Sequence, residues 1–569
     1  MDYPIRRSLA AWSRVASGTA LPSLACAGLA GFVLGFLFGL RDWFRAWPSL
    51  SALEALRAGA LGWLVGIGAC LVVGLMRSRH HTHTDVPLPR KRRRLPVAAL
   101  ALLGLAPVSL WLFGAAPRGA LHRSSALGRR PGDGRPNLIL ITIDALRPDR
   151  LGAYGNPRGL TPNLDAFATE ATRYQAAYAP SSWTLASLSA LFTGLPPSSS
   201  GLMGLSSSYP RRSPYYGRLP ENRVLLSERL QRAGYATAAD VTNVFLESNL
   251  GWRRGFDDFR NEGGVDGDLA VFAHAQTLTE HSSHWLRLNW HQPFFLWIHY
   301  LDPHCPYDSP DTPKALRARY PAGWVGRRDY WNSRMAHAPA DTRALYQQFC
   351  REMYDQEVRY VDHWVGRLLA ELKAAGLYEH SLIVITADHG EELFDHGGID
   401  HGHSMHEEVL RVPLLVKWPA GVAADARVTQ VVASADVGGT LLEMAQAPGL
   451  NGREAALPRR EGASRSSVYS EGVLYGPEQT VLTTDTYRVI YHPYGRPTEA
   501  RFEVYDRQND PREHHNLAGT GAASDLRYRL KRLTEVADAE AEATGGGSPG
   551  YRPSKDEEHR LRSLGYLGK

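Results

Sequence analysis

The stretch NLILITID, Asn137–Asp144, is a continuous apolar run rich in β-branched residues that ends in an acid. A strand with one face in solvent alternates apolar and polar residues, whereas a strand covered on both faces is apolar throughout. The segment therefore predicts a central strand of a sheet with helices packed against both of its faces.

Three further segments have the same character: FFLWIHYLD (Phe294–Asp302), SLIVITAD (Ser381–Asp388) and VPLLVKW (Val412–Trp418). Helical patterns lie between them, for example at Asn222–Gly234 and Gln348–Gly376. Strands that alternate with helices are typical of α/β folds. We therefore predict a mostly parallel sheet sandwiched by helices over residues 137–450.

The pattern changes beyond residue 450. Short segments such as SVYSEGVL, TYRVIYHP and RFEVYD predict a smaller antiparallel α+β subdomain over residues 451–536. The remaining residues, 537–569, include the run TGGGSPG and are predicted to form a flexible linker and tail.

The N-terminal residues, 1–116, are predicted to anchor the chain in a membrane. Residues 19–40, 59–76 and 96–116 lack charge, and each segment is close to the roughly 20 residues that cross a bilayer as a helix. The loop Arg77–Arg94 carries seven basic residues and one acid, which places it in the cytoplasm. Everything after the third span, beginning with a linker at 117–136, is then extracytoplasmic. Buried helices of a soluble protein are the alternative.

Charge and cysteine content exclude some classes of protein. Much of the net charge of +6 lies in the run Pro89–Arg94, and no basic stripe interleaved with aromatic residues occurs elsewhere, so no nucleic-acid partner is expected. No cysteine spacing is typical of a zinc site. Two of the four cysteines, Cys305 and Cys350, lie outside the predicted spans, and the sequence leaves open whether they pair.

Acids and histidines follow three of the predicted strands. Asp144 ends the first strand, Asp302 and His304 follow the second, and Asp388 and His389 follow the third. In open α/β sheets, ligands bind just beyond the carboxyl ends of the strands. Each acid alone is explained by a helix cap or turn, but the set predicts a site for a divalent ion, with Ca, Mn, Zn and Mg all open.

A cluster of hydroxyl residues, YAPSSWTLASLSALFTG (Tyr178–Gly194), precedes and opens a predicted helix. Threonine and serine are poor nucleophiles unless a base or a metal activates them, and the positive end of a helix favours an alkoxide. Thr184, in the first helical turn, is therefore the candidate nucleophile, with Ser182 as the predicted N-cap. Ser187 and Ser189 lie further inside the helix, where hydroxyls usually bond to the backbone.

These segments together resemble the sulfatase-like branch of the alkaline phosphatase superfamily, from Pro136 to about Leu517. The motifs that carry the resemblance occur in the family's order: PNLILITIDALRPDRLGAYG, ALFTG, AGYATAADVTN, HYLDPHCPY, TADHGEEL, DHGHSMHEEVLRVPLLV and YDRQNDPREHHNL. The resemblance implies an alkaline-phosphatase-like α/β domain with one bound divalent metal ion. It also implies roles for individual residues.

By this resemblance, the metal ligands are Asp144, Thr184, Asp388 and His389, and Thr184 is also the nucleophile. The remaining site residues concern the substrate. His304 and His401 match residues that contact the ester oxygens or protonate the leaving group, and Asn243 falls where many sulfatases place an active-site lysine.

The chain departs from the sulfatase pattern at three positions. True sulfatases carry cysteine or serine in a C/S-x-P/A-x-R stretch and oxidise it to formylglycine, but this chain has Thr184, and Leu188 replaces the arginine. Threonine would give a ketone rather than an aldehyde, so formylglycine is not expected. Ala145 replaces the second of two paired aspartates. A threonine nucleophile resembles instead the phosphoethanolamine and glycerol-phosphate transferases and related phosphodiesterases, which form a phosphothreonine.

Three functions fit these observations. The first is a multi-pass membrane enzyme that cleaves or transfers a phosphoester on the extracytoplasmic side, with an anionic ester from lipid head groups or envelope glycans as substrate. The second is a sulfuric ester hydrolase that works without formylglycine. The third is a non-catalytic domain that binds anionic glycans or lipids.

Overall fold

The computed structural model of the protein describes residues 134–200, 218–261, 263–266, 269–450, 452, 455–462, 467–493 and 501–543. All of them belong to one compact unit, Leu121–Lys569. Among the described residues, no helix combines the length and the apolar character that a membrane span needs. The three predicted spans, at 19–40, 59–76 and 96–116, lie outside the described residues.

The described strands are numbered in chain order. They are β1 Asn137–Ile143, β2 Thr172–Tyr178, β3 Ala236–Val241, β4 Asp258–Asn261, β5 Gly263–Asp266, β6 Leu269–Phe272, β7 Phe294–Tyr300, β8 Ser381–Ala387, β9 Glu392–Leu393, β10 Ile399–Asp400, β11 Arg411–Lys417, β12 Arg427–Ala433, β13 Val468–Glu471, β14 Thr480–Thr483, β15 Tyr487–Tyr491 and β16 Phe502–Asp506.

The helices are numbered in the same way. They are α1 Pro162–Ala168, α2 Thr184–Thr193, α3 Leu226–Arg232, α4 Ala275–Asn289, α5 Lys314–Arg317, α6 Arg328–Tyr330, α7 Ala340–Ala374, α8 Glu407–Leu410, α9 Asp436–Ala445 and α10 Ser524–Ala543.

The central sheet has the strand order β12-β2-β11-β8-β1-β7-β3-β4. Strand β1 lies inside the sheet and pairs in parallel with β7 and β8, and every residue of these three strands is buried. Helices α1 and α4 pack against the long helix α7, and helices α2 and α3 pack against α9. The predicted α/β architecture, with a buried central strand at NLILITI, is confirmed.

The central sheet is mostly parallel, as predicted, except for strand β11, which runs antiparallel to both of its neighbours, β2 and β8. A strand buried on both faces carries no sequence signal for its direction. The chain from β8 to β11 contains only short elements and no crossover helix. It therefore re-enters the sheet from the edge at which β8 ended, in the opposite direction. The sheet is mixed.

The C-terminal subdomain consists of the antiparallel sheet β13-β14-β15-β16, against which helix α10 packs. Its small core includes Leu482, Val489, Val504 and Leu530. The predicted antiparallel α+β character is confirmed, and α10 ends at Ala543, beyond the predicted boundary at residue 536.

A buried ion pair connects this subdomain to the loop that precedes β11. Arg488 of β15 is fully buried, pairs with Glu513 and donates to the carbonyl oxygen of Met405 at 2.7 Å. Glu513 also contacts His406 Nδ1 at 3.0 Å. Burial raises the pKa of Glu513, but the charge of Arg488 and the hydrogen bond from His406 outweigh it and hold that pKa at about 2.

We expect Arg488→Met to destabilise the protein by about 3–5 kcal/mol, because the buried carboxylate of Glu513 would lose its main countercharge. Denaturant unfolding measures the loss. Arg532→Met is the matched control, since Arg532 forms an exposed ion pair with Glu535 and should cost less than about 1 kcal/mol. Equal stability of the two variants would contradict a structural role for the buried pair.

The same pair predicts acid sensitivity. The folded-state pKa of Glu513 lies below its ordinary value of 4.5, so its stabilising contribution is complete above about pH 4.5 and is lost as the pH falls towards 2. In Arg488→Met, this part of the pH dependence should disappear. Unfolding curves between pH 6 and pH 3 test this.

Candidate active site

The carboxyl ends of β1 and β8 lie side by side, because Ile143 is paired with Ala387. Asp144 directly follows β1, and Asp388 and His389 directly follow β8. Helix α2 begins at Thr184, with the extended residue Trp183 as its N-cap. The four residues predicted as metal ligands are fully or almost fully buried and lie together.

The hydroxyl oxygen of Thr184 lies among these side chains. Thr184 Oγ1 is 3.2 Å from His389 Nε2 and 3.4 Å from Asp144 Oδ2. His389 Nε2 is in turn 3.4 Å from Asp144 Oδ1 and 3.4 Å from Asp388 Oδ2. Side chains that are as far apart in the sequence as Asp144 and His389 therefore lie together at the N-terminus of α2.

The other hydroxyls of the cluster bond elsewhere. Ser187 Oγ donates to the carbonyl of Ser181 at 2.9 Å, and Ser189 Oγ donates to that of Ala186 at 2.8 Å. Ser182, the predicted N-cap, donates instead to the carbonyl of Gly472 at 3.2 Å. The prediction of Ser182 as the N-cap was wrong, because α2 starts at Thr184 and Trp183 is its N-cap. Ser182 instead bonds to Gly472, which directly follows β13 of the C-terminal subdomain.

Three buried atoms in the centre of the site face one another, and no hydrogen-bond donor lies between them. His389 Nδ1 lies 2.8 Å from the carbonyl oxygen of Gly390, which can only accept, so Nδ1 carries the proton and Nε2 presents a lone pair. Asp144 Oδ1 and Asp388 Oδ2 are buried and accept no hydrogen bond. Buried acceptors without donors are costly unless a cation lies between them.

The charge balance agrees with a cation. Burial and the neighbouring carboxylate of Asp144 raise the pKa of Asp388 well above its ordinary value, so without a positive charge beside it this carboxyl tends to keep its proton. Burial lowers the pKa of His389 to about 4, so this imidazole is neutral. The donor set of two carboxylates, one hydroxyl and one imidazole fits a hard or borderline divalent ion.

Two further side chains hold Asp144 in place. Asn243 follows β3 and donates from Nδ2 to Asp144 Oδ2 at 2.8 Å, so this predicted site residue lies in the site. His299 of β7 has its Nε2 3.3 Å from the same oxygen. His299 Nδ1 lies 2.8 Å from the hydroxyl of Thr142, which accepts an N–H from Trp297 at 3.0 Å.

His304 and His401 adjoin this centre. The ring of His401 lies 4.2 Å from that of His389 and 4.8 Å from that of His304, measured between centroids. Both side chains are buried. The structure therefore brings all seven predicted site residues into one cluster.

Asp302, the acid that follows β7, does not join them. Its Oδ1 accepts the backbone N–H of Ala275 at 3.0 Å, at the start of α4, and lies 3.4 Å from His274 Nδ1. It is a helix cap. An acid that follows a strand can therefore be either a helix cap or a site residue. Only the folded structure distinguishes Asp302 from Asp144 and Asp388.

Ala145, at the position of the missing aspartate, has a left-handed backbone with a φ of 57°. Tyr354 of α7 holds this turn, because its hydroxyl donates to the carbonyl of Ala145 at 2.7 Å and accepts the N–H of Arg147 at 3.0 Å. The N–H of Ala145 lies 3.4 Å from Asp388 Oδ1. The strained turn thus directs a backbone donor, rather than a second carboxylate, at the site.

Sequence reasoning missed His299, Glu391 and Asp400. A histidine in the middle of the apolar run FFLWIHY was a usable signal, because a buried polar side chain needs a partner. Glu391 and Asp400 contact His401. Asp400 directly precedes His401 in the sequence, whereas nothing in the sequence relates Glu391, ten residues earlier, to this histidine. Cys305 and Cys350 are buried and are not joined by a disulfide bond.

Comparisons with known proteins agree with this architecture. The family model described as Sulfatase matches residues 136–447, and the model described as N-sulphoglucosamine sulphohydrolase, C-terminal, matches residues 394–539. An arylsulfatase from Clostridium perfringens is 24% identical over 490 residues, which cover 73% of this chain and 96% of that protein.

Solved structures resemble the chain at the level of the fold. A protein in complex with its substrate D-glucosamine-2-N,6-O-disulfate gives a TM-score of 0.55 at 19% identity, covering 72% of this chain and 99% of the other. The phosphonate monoester hydrolase of Agrobacterium radiobacter gives 0.54 at 19% identity, covering 74% and 100%.

The cluster of unprotonated acceptors predicts bound metal. The purified protein should contain a stoichiometric divalent ion, and Asp388→Ala should abolish it, because one of the two carboxylate oxygens that face His389 Nε2 would be lost. Elemental analysis after dialysis measures the content. Asp302→Asn is the control, since this acid follows the neighbouring strand but caps α4 and should leave the metal in place. Metal retained by Asp388→Ala would contradict the site.

Proposed function

The chain belongs to the sulfatase family, and we propose that it is a metal-dependent enzyme that cleaves or transfers a phosphoester group through Thr184. The observation that carries this proposal is the position of the Thr184 hydroxyl, 3.2 Å from His389 Nε2 and 3.4 Å from Asp144 Oδ2. No other hydroxyl of the segment Tyr178–Gly194 makes such contacts among the described residues.

The four converging residues, Asp144, Thr184, Asp388 and His389, would hold the divalent ion. When bound, the ion supplies positive charge that favours the alkoxide of Thr184 and neutralises the negative charge of the ester. The N-terminus of α2 adds its positive end at the same hydroxyl. Asn243 and His299 keep the carboxylate of Asp144 in position.

In the proposed reaction, Thr184 Oγ1 attacks phosphorus in line with the departing oxygen. The Thr184 hydroxyl gives up its proton to water, the Thr184–phosphorus bond forms, the bond to the leaving oxygen breaks, and protonated His304 or His401 supplies a proton to that oxygen. Water or an alcohol then gives its proton to the same histidine and attacks phosphothreonine, and the released Thr184 oxygen takes up a proton from water. The enzyme is a hydrolase with water as acceptor and a transferase with an alcohol.

An unmodified threonine supports a phosphoester over a sulfuric ester. Formylglycine needs a side chain that is oxidised to an aldehyde, which a threonine does not give, and Leu188 stands where the arginine of the modification stretch would be. The nucleophile then has to be the hydroxyl itself, which forms a phosphoester intermediate as in the threonine-bearing relatives that the sequence resembles.

Sulfuric ester hydrolysis is the second candidate. The curated relative is named an arylsulfatase, and one structural neighbour binds a sulfated glucosamine. The fold alone does not decide, because a phosphonate monoester hydrolase shares it at a similar TM-score. A non-catalytic domain that binds anionic glycans or lipids is the third candidate, but binding alone would not require a buried hydroxyl against His389.

The location of the enzyme is part of the proposal. Three charge-free segments and the basic loop Arg77–Arg94 support a membrane anchor with the site on the extracytoplasmic side. A site that is tethered at the membrane would meet anionic esters of lipid head groups or envelope glycans.

Thr184→Ala should lower turnover of phosphoesters by at least about 10³-fold, because the nucleophile is lost. Thr184→Ser should retain part of the activity. The matched control is Ser187→Ala, which removes a buried hydroxyl of the same helix that bonds to Ser181 and should stay within about threefold of wild type.

One assay decides the ester class, because it compares three matched 4-nitrophenyl esters: the phosphate monoester, the phosphate diester and the sulfate. We expect a phosphoester to turn over faster and rapid-quench mass spectrometry to find phosphate on Thr184. Faster turnover of the sulfate would support the second candidate. Full activity of Thr184→Ala would rule out threonine as the nucleophile.

A further inference from the structure

An arginine of the segment between β7 and α7 is stacked on an aromatic ring. Arg328, the first residue of α6, lies over Tyr475 with 3.4 Å between its Cζ and the ring centroid. Its neighbour Arg327 pairs with Asp329 through two nitrogens, at 2.6 and 2.7 Å. Arg328 is half-buried, and its guanidinium forms no hydrogen bond or ion pair with any described residue. An aromatic face holds a guanidinium in place and leaves its N–H donors unused.

Tyr475 places this guanidinium beside the candidate active site. The backbone N–H groups of Leu474 and Tyr475 both donate to the carbonyl of Gly402 at 2.7 Å. A methyl group on Gly402 would lie 3.5 Å from the Tyr475 ring, so the ring packs directly on this turn. Gly402 follows His401, whose ring lies 4.2 Å from that of His389. The guanidinium is therefore stacked on a ring that adjoins the site.

The same turn is bonded to the segment that carries the proposed nucleophile. The N–H of Gly402 donates to the carbonyl of Ser182, two residues before Thr184, at 3.0 Å. The hydroxyl of Ser182 donates to the carbonyl of Gly472 at 3.2 Å. The turn after β10, the start of α2 and the loop of Tyr475 thus form one hydrogen-bonded unit. The guanidinium of Arg328 is stacked on this unit.

Aromatic packing fixes the segment to which Arg328 belongs. Trp331, which follows α6, stacks on Tyr346 of α7 with 5.9 Å between centroids and meets the ring of Phe394 edge to face at 4.7 Å. Tyr330 also stacks on Tyr346, at 5.7 Å. The segment is therefore ordered in advance, so little conformational freedom is lost when its arginine binds a ligand.

The acids nearest to this ring are engaged elsewhere. Asp400 and Asp329 lie near enough to Tyr475 to act on it through their charge. Asp329 binds Arg327, and Asp400 accepts the backbone N–H of the next residue at 2.7 Å. Neither of these two described acids pairs with Arg328, so its positive charge is available to an anion from outside the protein.

We propose that Arg328, held on the ring of Tyr475, forms a subsite for a second oxyanion of the substrate, a carboxylate, phosphate or sulfate group beside the ester that is cleaved. The inference rests on the proposed function, because it concerns the part of the ester that does not react with Thr184. A guanidinium presents a planar fork of N–H donors that matches two oxygens of such a group. The enzyme therefore prefers esters that carry an additional acidic group.

Phosphonates test the subsite without turnover, because they contain no ester bond. Phosphonoalkanoates with two to four methylene groups are compared with the alkylphosphonates in which a methyl group replaces the carboxylate, and with the corresponding bisphosphonates. Calorimetric titration of the full-length protein measures the dissociation constants. In the wild type, the second acid of the best-fitting length should tighten binding about tenfold or more, because it gains charge-assisted hydrogen bonds. The tighter of the two acids identifies the preferred oxyanion.

Three variants separate the fork from general charge. Arg328→Gln keeps a planar group on the Tyr475 ring but loses the charge, so the second acid should tighten binding less than about twofold. Arg328→Lys keeps the charge without the fork and should lie between Arg328→Gln and the wild type. Arg334→Gln is the matched control and should equal the wild type, since Arg334 belongs to the same segment but lies over Tyr330, at 5.6 Å.

Several outcomes would overturn the inference. One is a second acid that adds nothing to the affinity of the wild type, or ligands that do not bind at all. Another is the same gain in Arg328→Gln as in the wild type. A third is equal weakening of both members of a pair in Arg328→Gln, because Arg328 would then act on the reacting group or on the fold of its segment. Arg328→Met replaces Arg328→Gln if that variant does not fold.

The matched alkanesulfonates and sulfoalkanoates distinguish this inference from the proposed function. If only the sulfonates bind, and their second acid depends on Arg328, the ester class in the proposed function is wrong and the subsite stands. If the phosphonates bind and their second acid does not depend on Arg328, the proposed ester class stands and the subsite is wrong.

Discussion

The site depends on a set of atoms that all present electron pairs to one another. His389 Nε2 faces Asp144 Oδ1 and Asp388 Oδ2 at 3.4 Å each. The one N–H of this neutral imidazole, on Nδ1, donates to the carbonyl oxygen of Gly390. In the buried interior such an arrangement is unstable unless a cation occupies its centre. The parallel pairing of β1 with β8 imposes it, since this register places both strand ends at one point of the sheet edge.

In the proposed mechanism, a threonine replaces the usual nucleophile of the family on the same scaffold. Thr184 at the start of α2 reaches the carboxylate of Asp144 and the imidazole of His389, and its side chain stays an unmodified hydroxyl. The left-handed Ala145 presents an N–H at the position where the resemblance leads one to expect a second aspartate, so fewer negative charges would surround a bound ion. A less negative site favours an anionic ester, because the substrate adds charge of its own.

The C-terminal subdomain contributes to the site through the loop between β8 and β11. That loop carries His401 against the catalytic centre and His406 against Glu513, which Arg488 neutralises. The backbone of Gly402 is also held, because its carbonyl accepts the N–H groups of Leu474 and Tyr475 at 2.7 Å each. The position of His401, one of the two histidines proposed to contact the substrate, is therefore set by two subdomains together.

The sequence by itself determined the buried strands and the helix that starts at Thr184, because apolar continuity and residue type at strand ends are local properties. The seven site residues came from the resemblance to a family, and their roles stay predictions. Tertiary structure decided the rest. The direction of β11, the capping role of Asp302 and the contacts of His299 and Glu391 depend on which segments become neighbours. Distances between residues far apart in the chain have no local signal, so a buried acid that caps a helix and one that faces a cation look the same until the chain is folded.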